Sequence, residues 1–268
     1  FGADTDWQSV VTRQTTSHNQ NLSYAKSYEG GSVRATAGYG KQFGVIENSS
    51  LERITGRLNV NHRFFEDKLR LNLQGTISRV NDEAPALSGS AGFRGDLLGA
   101  AYSANPTWPK DPDFDTGGQI NPLVLLEYVQ SLTFTDRALL NFSADYDILP
   151  ELTAKINIGY DKSKSTRESA ANALARNLDR NVFGNGRASV INIDVENRLL
   201  EATLNYKKDF DNSRFDALVG YSFQDFGRSG RVLEGFGFST TDLNDMPTEL
   251  ANSARAIENA IDGRFQQY

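Results

Sequence analysis

The chain has 268 residues and a net charge of -6, with 23 Gly, 16 Phe, 10 Tyr, one Met and no Cys. The acidic balance argues against a general nucleic-acid binder, whose positive charge clusters. The lack of cysteine excludes disulfide frameworks and thiolate metal sites and leaves the redox compartment open. No apolar run approaches the roughly 20 residues of a transmembrane helix, and the Phe and Tyr fall within alternating runs, which points to β structure.

In chain order, turn formers lead into residues 7–11, read as a short strand. Two β-like runs follow at 17–26 and 32–41, separated by the tight turn around Glu29, Gly30 and Gly31. Val33, Ala35, Ala37 and Tyr39 alternate with Arg34, Thr36, Gly38 and Gly40. After a loop at 44–50, Ile54, Leu58, Val60 and Phe64 alternate with Thr55, Arg57, Asn59, Asn61 and Arg63. Beyond Glu66 and Asp67, Leu69, Leu71, Leu73 and Ile77 alternate with Arg70, Asn72, Gln74, Thr76 and Ser78. Two period-two runs joined by two residues predict a β-hairpin. The interval 80–132 is long, rich in Pro, Gly and Asp, and predicts a short helix from the spacing of Phe93, Leu97, Ala101 and Ala104. Alternation resumes over 138–148, turns at 149–151 and returns over 152–160. A second insertion, 161–188, carries the helix-like stretch 168–178. A last hairpin joins 202–206 to 215–223, and a third long loop after Phe226 shows a helical period at Leu250, Ala254, Ile257 and Ile261.

Connections therefore alternate in length. Short ones fall at 27–31, 66–67, 149–151 and 209–213, and longer ones at 42–52, 80–132, 161–188 and beyond 226. A soluble sandwich has no reason to sort its loops in this way, whereas transmembrane β-barrels have short periplasmic turns and long extracellular loops. Strands of about ten residues suffice to cross a tilted bilayer path. Tyr39, Phe64, Tyr146, Tyr160, Tyr206 and Tyr221 stand near strand ends, as interfacial aromatic girdles do.

The motifs allow a more specific identification. Thr5-Asp6-Trp7-Gln8 and Asn19-Gln20-Asn21-Leu22-Ser23 are followed by Gly38, Tyr39, Gln42, Gly44, Val45, Ile46 and Asn48, then by Arg53, Arg57, Leu58 and Asn59. This ordered set resembles the SusC/RagA-type TonB-linked outer-membrane transporters of Bacteroidota. Pro106 to Pro109 and Asn121-Pro122-Leu123 look like that family's first long loop and its return to a strand. The turn around Glu29 departs from the family's more compact Ser-Gly-Gly turn. The resemblance implies a 22-stranded barrel around an N-terminal plug, energised by TonB-ExbB-ExbD and capped by a SusD-like surface lipoprotein. It also implies import of oligosaccharides or other large nutrients such as peptides. Residues 1–268 are then a partial barrel domain of about eight or nine strands, without plug or closing strands. The start at Phe1 without an initiator Met or signal peptide is read in the same way. Two alternatives are a stand-alone eight-stranded structural or adhesive barrel and a soluble carbohydrate-binding β-sandwich.

No catalytic constellation emerges, and an enzyme is not expected. His18 and His62 lie in strand runs and share no motif with a nucleophile or carboxylate. Gly38, Gly40 and Gly44 lack the strand-to-helix context of a dinucleotide loop and are read as easing strand bending or close backbone approach. Asp111, Asp113 and Asp115 have the alternate spacing of a Ca2+ loop, but Gly117 comes one position late and no bidentate Glu follows. A solvated acidic loop is the stronger reading and a Ca2+ site the weaker. The loop aromatics Phe93, Tyr102, Trp108, Phe114 and Phe183 are the candidate substrate contacts, against the simpler role of packing their own loops.

Overall fold

The computed structural model describes residues 2–87, 96–178 and 182–246, and the backbone of two further short strands. One antiparallel sheet dominates. Its strands are β1 (His18–Tyr28), β2 (Gly31–Phe43), β3 (Ser50–Phe64), β4 (Leu69–Glu83), β5 (Val129–Leu149), β6 (Leu152–Ala171), β7 (Arg187–Phe210) and β8 (Ser213–Phe236). Each pairs with the next in sequence. In such a meander successive connections fall at opposite ends, so all the short turns lie at one end and all the long loops at the other, as the alternation of loop lengths predicts. Strands β9 (Ser253–Ile257) and β10 (Gly263–Gln267) share the free edge of β8, at Val232–Phe236 and at 224–228 respectively. Among the described residues β1 pairs with none of β8, β9 or β10, and there is one sheet rather than two. Neither a closed eight-stranded barrel nor a sandwich is formed.

Side-chain alternation carries across the whole sheet. One cross-strand row reads Val33, Val60, Leu73, Phe142, Ile158, Leu200 and Phe223. The adjacent row, on the opposite face, reads Ser32, Asn61, Asn72, Ser143, Asn157, Glu201 and Ser222. The apolar face is uncovered: Ile54, Ile77, Leu140, Ile158 and Leu204 are all exposed. In water such a face would drive association, and lipid is the solvent that suits it. Along β5 it runs from Ile148 to Ala138, a rise of roughly 34 Å along the strand and about 26 Å along the axis of a barrel tilted ~40°, close to the apolar band of about 25 Å typical of such proteins.

The strands run well past this band. Strands β7 and β8 have 24 residues each and β5 has 21, where about ten were expected. Stretch 168–178 is not a helix: β6 continues to Ala171 and turns follow. Likewise Ala254 and Ile257 lie in β9 rather than in a helix, while Leu250 and Ile261 lie outside the described residues. The backbone ladder between long neighbours outweighs local helix propensity. Above the band the outer face turns charged and cross-strand ion pairs replace apolar rows, among them Arg79–Asp136 at 2.7 Å and Lys162–Glu196 at 3.2 Å.

Among the described residues three short α-helices lie outside the sheet, α1 (Trp7–Val11), α2 (Leu97–Ser103) and α3 (Pro122–Glu127), with a 3-10 turn at Leu243–Asp245. Residues 7–11 are thus helical and not a strand. The Asp6 carboxylate accepts from the backbone N–H of Gln8 and Ser9, and Trp7 and Val11, four residues apart, bury the same face. Of the helix expected from Phe93, Leu97, Ala101 and Ala104, Leu97 and Ala101 lie in α2, which Asp96 caps and Ala104 ends, and Phe93 lies outside the described residues.

Candidate functional site

The buried core of the chain is at the long-loop end, not within the sheet. Trp7, Val11, Leu97, Ala100, Ala101, Trp108, Ile120, Leu123 and Leu125 form one cluster, and Val124, Ala171, Ala175 and Val182 another. Val129 packs against both, and its register partner on the polar face, Ala171, belongs to the second. The loops therefore fold into a cap seated over the polar face.

Polar side chains clamp the cap together. The Thr5 hydroxyl donates to the Trp108 carbonyl at 2.8 Å, the Trp7 indole N–H donates to the Asn105 carbonyl at 2.9 Å, and the two indoles meet edge to face. Asn121, itself buried, caps α3 through the Leu123 N–H while its amide donates to the Asp111 carbonyl. The Asn48 amide reaches the Leu126 carbonyl at 2.7 Å and that of Asn172 the Thr241 carbonyl at 2.9 Å. Asn48 has φ of 56°, a conformation Asn tolerates better than most residues. Arg13 donates to the carbonyls of Gly44 and Ser49 and pairs with Glu47 at 3.1 Å. Apart from the Asn121 cap, each tie joins residues at least 10 positions apart.

Beneath the cap the polar face carries two clefts. The first, about 380 Å³, is lined by Asn19, Asn21, Gln42, Arg53 and Arg57. It exists because Gly38 and Gly40 leave room: a Cβ there would stand 2.8 Å and 2.2 Å from the Asn21 and Asn19 side-chain oxygens. The close approach is by side chains, where strand bending or close backbone approach was expected of those glycines. The second, about 320 Å³, sets Asn59, Gln74 and Asn141 against Leu139, Leu199 and Phe226. Gly159 makes space for Leu199, whose Cβ would lie 3.2 Å from a Cβ at that position. Amides that both donate and accept beside an apolar floor suit hydroxyl-bearing or peptide ligands. The missed signal is that Leu139, Leu199 and Phe226 stand out of phase, apolar residues on the polar face.

The structure separates the candidate site residues. Trp108 is buried, and Phe114 packs on it at 6.4 Å between ring centroids. Tyr102 is 84% exposed, on the same face of α2 as the exposed Leu98. Phe183 is half-exposed with the Arg176 guanidinium over its ring at 4.7 Å. Asp111 and Asp115 accept from the N–H groups of Asp113 and Gly117, and Asp113 accepts from the Tyr128 hydroxyl at 3.1 Å. Burial, then that hydrogen bond, holds the Tyr128 phenol above its ordinary pKa. Among the described residues no three His, Asp or Glu side chains gather as a metal site.

No protein-family model matches the chain. It is 23% identical to the TonB-dependent receptor SusC of Bacteroides thetaiotaomicron over 89% of its own length and 26% of that protein's. It is 27% identical to TonB-dependent receptor P3 of Formosa agariphila, over 90% of this chain and 25% of that protein. It thus spans about a quarter of the length of the curated relatives it matches. Among solved structures, the RagAB peptide transporter superposes on all of the chain and 30% of its own, with a TM-score of 0.78 at 18% identity, and the same importer in its open-open state gives 0.74. The ordered motifs, the lipid-suited outer face and these likenesses agree on a segment of an outer-membrane β-barrel that is similar to the SusC/RagA-type receptors.

Proposed function

We propose that the segment belongs to a TonB-dependent active importer of oligosaccharides or other large nutrients such as peptides, working with a SusD-like surface lipoprotein on its loop side. In the whole protein, the plug that receives TonB-ExbB-ExbD and the remaining strands lie outside residues 1–268. The observation that carries this reading is a polar wall with amide-lined clefts beneath a loop cap locked by its own core, a surface rigid enough for recognition and placed above a route. Import of this kind needs no covalent chemistry on the substrate, and the names of the relatives are those of receptors and a transporter rather than enzymes.

Within this reading Tyr102, Leu98 and Phe183 meet ligand or lid, because they are exposed. Trp108 and Phe114 act by shaping the cap. Deleting the loop around Trp108 would strip Trp7 of its partner, so surface substitutions are the cleaner test. Tyr102→Ala with Leu98→Asp in the full-length receptor is expected to lower uptake or lid co-purification by about tenfold, as loss of an aromatic anchor does, while barrel assembly stays normal. Unchanged uptake and unchanged co-purification would refute it.

A further inference from the structure

The outer face carries a concavity of about 640 Å³ where the apolar band meets the charged belt. Its floor is a single cross-strand row: Ala37, Gly56, Ile77, Ala138 and Lys162 are successive register partners on β2 to β6. Small side chains at three of these five positions leave an oblique trough between bulkier rows, with Ile54 and Arg79 above and Leu140 and Tyr160 below. Because strands tilt by roughly 40°, a row perpendicular to them climbs as it crosses the barrel wall. The row therefore begins among apolar neighbours and ends at a lysine.

At its upper end the trough is lined by the cations Arg79, Lys162 and Lys164 and the carboxylate Asp136, and also by Arg137, whose guanidinium is held by Asp161. Arg79 holds Asp136 through Nε and Nη2, and Lys162 shares Glu196 with Arg198. Lys164 is exposed, with Asp136 and Asp194 as its cross-strand neighbours. An acyl chain alone gains little by leaving bulk lipid for this trough, since lipid tails are as apolar as its walls. Preference must come from the headgroup. A phosphate beside these donors would accept charge-assisted hydrogen bonds from Lys164 and from the unused N–H groups of Arg79 and Lys162, at the interface where basic pockets hold anionic lipids.

The geometry points to a lipid site on the outside of the barrel: one acyl chain lies in the trough from Ala37 to Ala138, and its phosphate headgroup rests on Arg79, Lys162 and Lys164 in the loop-side leaflet. This site is separate from the import route and does not depend on what is imported. The test uses the full-length receptor in detergent, offered phosphatidic acid or diacylglycerol with matched chains, and native mass spectrometry reads the lipid retained. Phosphatidic acid should be retained and diacylglycerol should not. Ala138→Phe, which fills the trough, and Lys164→Glu should each lower retention by about tenfold. Arg231→Glu, elsewhere on the charged belt, should leave it unchanged, and heat-modified mobility on gels confirms that each variant is folded. Equal retention of both lipids, or undiminished retention in both folded variants, would overturn the assignment. Displacement by inorganic phosphate at concentrations matching phosphatidic acid would overturn it too, by showing that the acyl chain contributes nothing.

Discussion

Replacing Trp7 by alanine tests whether the cap is a cooperative unit distinct from the barrel wall. Trp7 is 3% exposed, packs edge to face on Trp108 at 6.5 Å and donates its indole N–H to the Asn105 carbonyl. Truncating a buried Trp costs about 3–5 kcal/mol, and the orphaned carbonyl adds about 1 kcal/mol if water does not reach it. A loss of about 4 kcal/mol raises the opening equilibrium of the cap by about a thousandfold. Hydrogen exchange followed by mass spectrometry in the full-length receptor reads this directly. Amides of α2 and of the end of α3, such as those of Ala100 and the capping Tyr128, should lose protection, while those of β4 and β5 at mid-strand keep theirs. Unchanged protection in α2 and α3 would show that the N-terminal segment does not hold the cap, and uniform loss across cap and strands would show that the two are one unit.

Other consequences follow from the two faces and the turns. Leu140→Arg, in the apolar band, should cost roughly 2–4 kcal/mol in a reversible folding titration into bilayers, whereas Asn141→Arg on the polar face should cost much less; equal costs would contradict the lipid-facing assignment. In the β3–β4 turn Phe65, Glu66 and Asp67 all have positive φ, of 55°, 55° and 68°. Glu66→Gly should therefore be neutral or stabilising by up to about 1 kcal/mol, against the loss glycine usually brings. Tyr128→Phe should cost about 1 kcal/mol of cap stability through the lost bond to Asp113. Because the folded state raises the Tyr128 pKa, its contribution is fully present below the ordinary tyrosine value and declines as pH rises through the raised one. Cap protection in the Tyr128→Phe protein should lack that alkaline component.

Hairpins were legible wherever one face meets lipid, because there the physics imposes a period of two: Leu69, Leu71 and Leu73 against Arg70, Asn72 and Gln74 needed no other information. Above the band the outer face turns charged, and in β7 Asn192, Asp194 and Glu196 alternate with Ile191, Ile193 and Val195, a period-two run that lies before the strand expected from 202 onward. The helix-like stretch from Glu168 misled because local propensity competes with a ladder supplied by distant chain. Helix α1 is one short turn, with a capping aspartate and a single apolar pair as its whole signature. The residues behind the resemblance, Thr5, Trp7, Asn48 and Asn121, were visible as motifs, but their purpose was not. They are hydrogen-bond clamps between segments up to 103 residues apart, and spacing along the chain does not encode such partners. The second cleft was within reach, since an apolar residue out of phase on a polar face is a readable anomaly.

On this topology the sheet spans the outer membrane with its cap outside and its short turns within. Since the segment has no cysteine, single substitutions Asp115→Cys in the cap and Asp67→Cys in the β3–β4 turn can report sidedness in intact cells carrying the full-length receptor, using a membrane-impermeant thiol reagent. Position 115 should be labelled in whole cells and position 67 only after the outer membrane is opened. Labelling of position 67 in intact cells, or equal labelling of both, would contradict it.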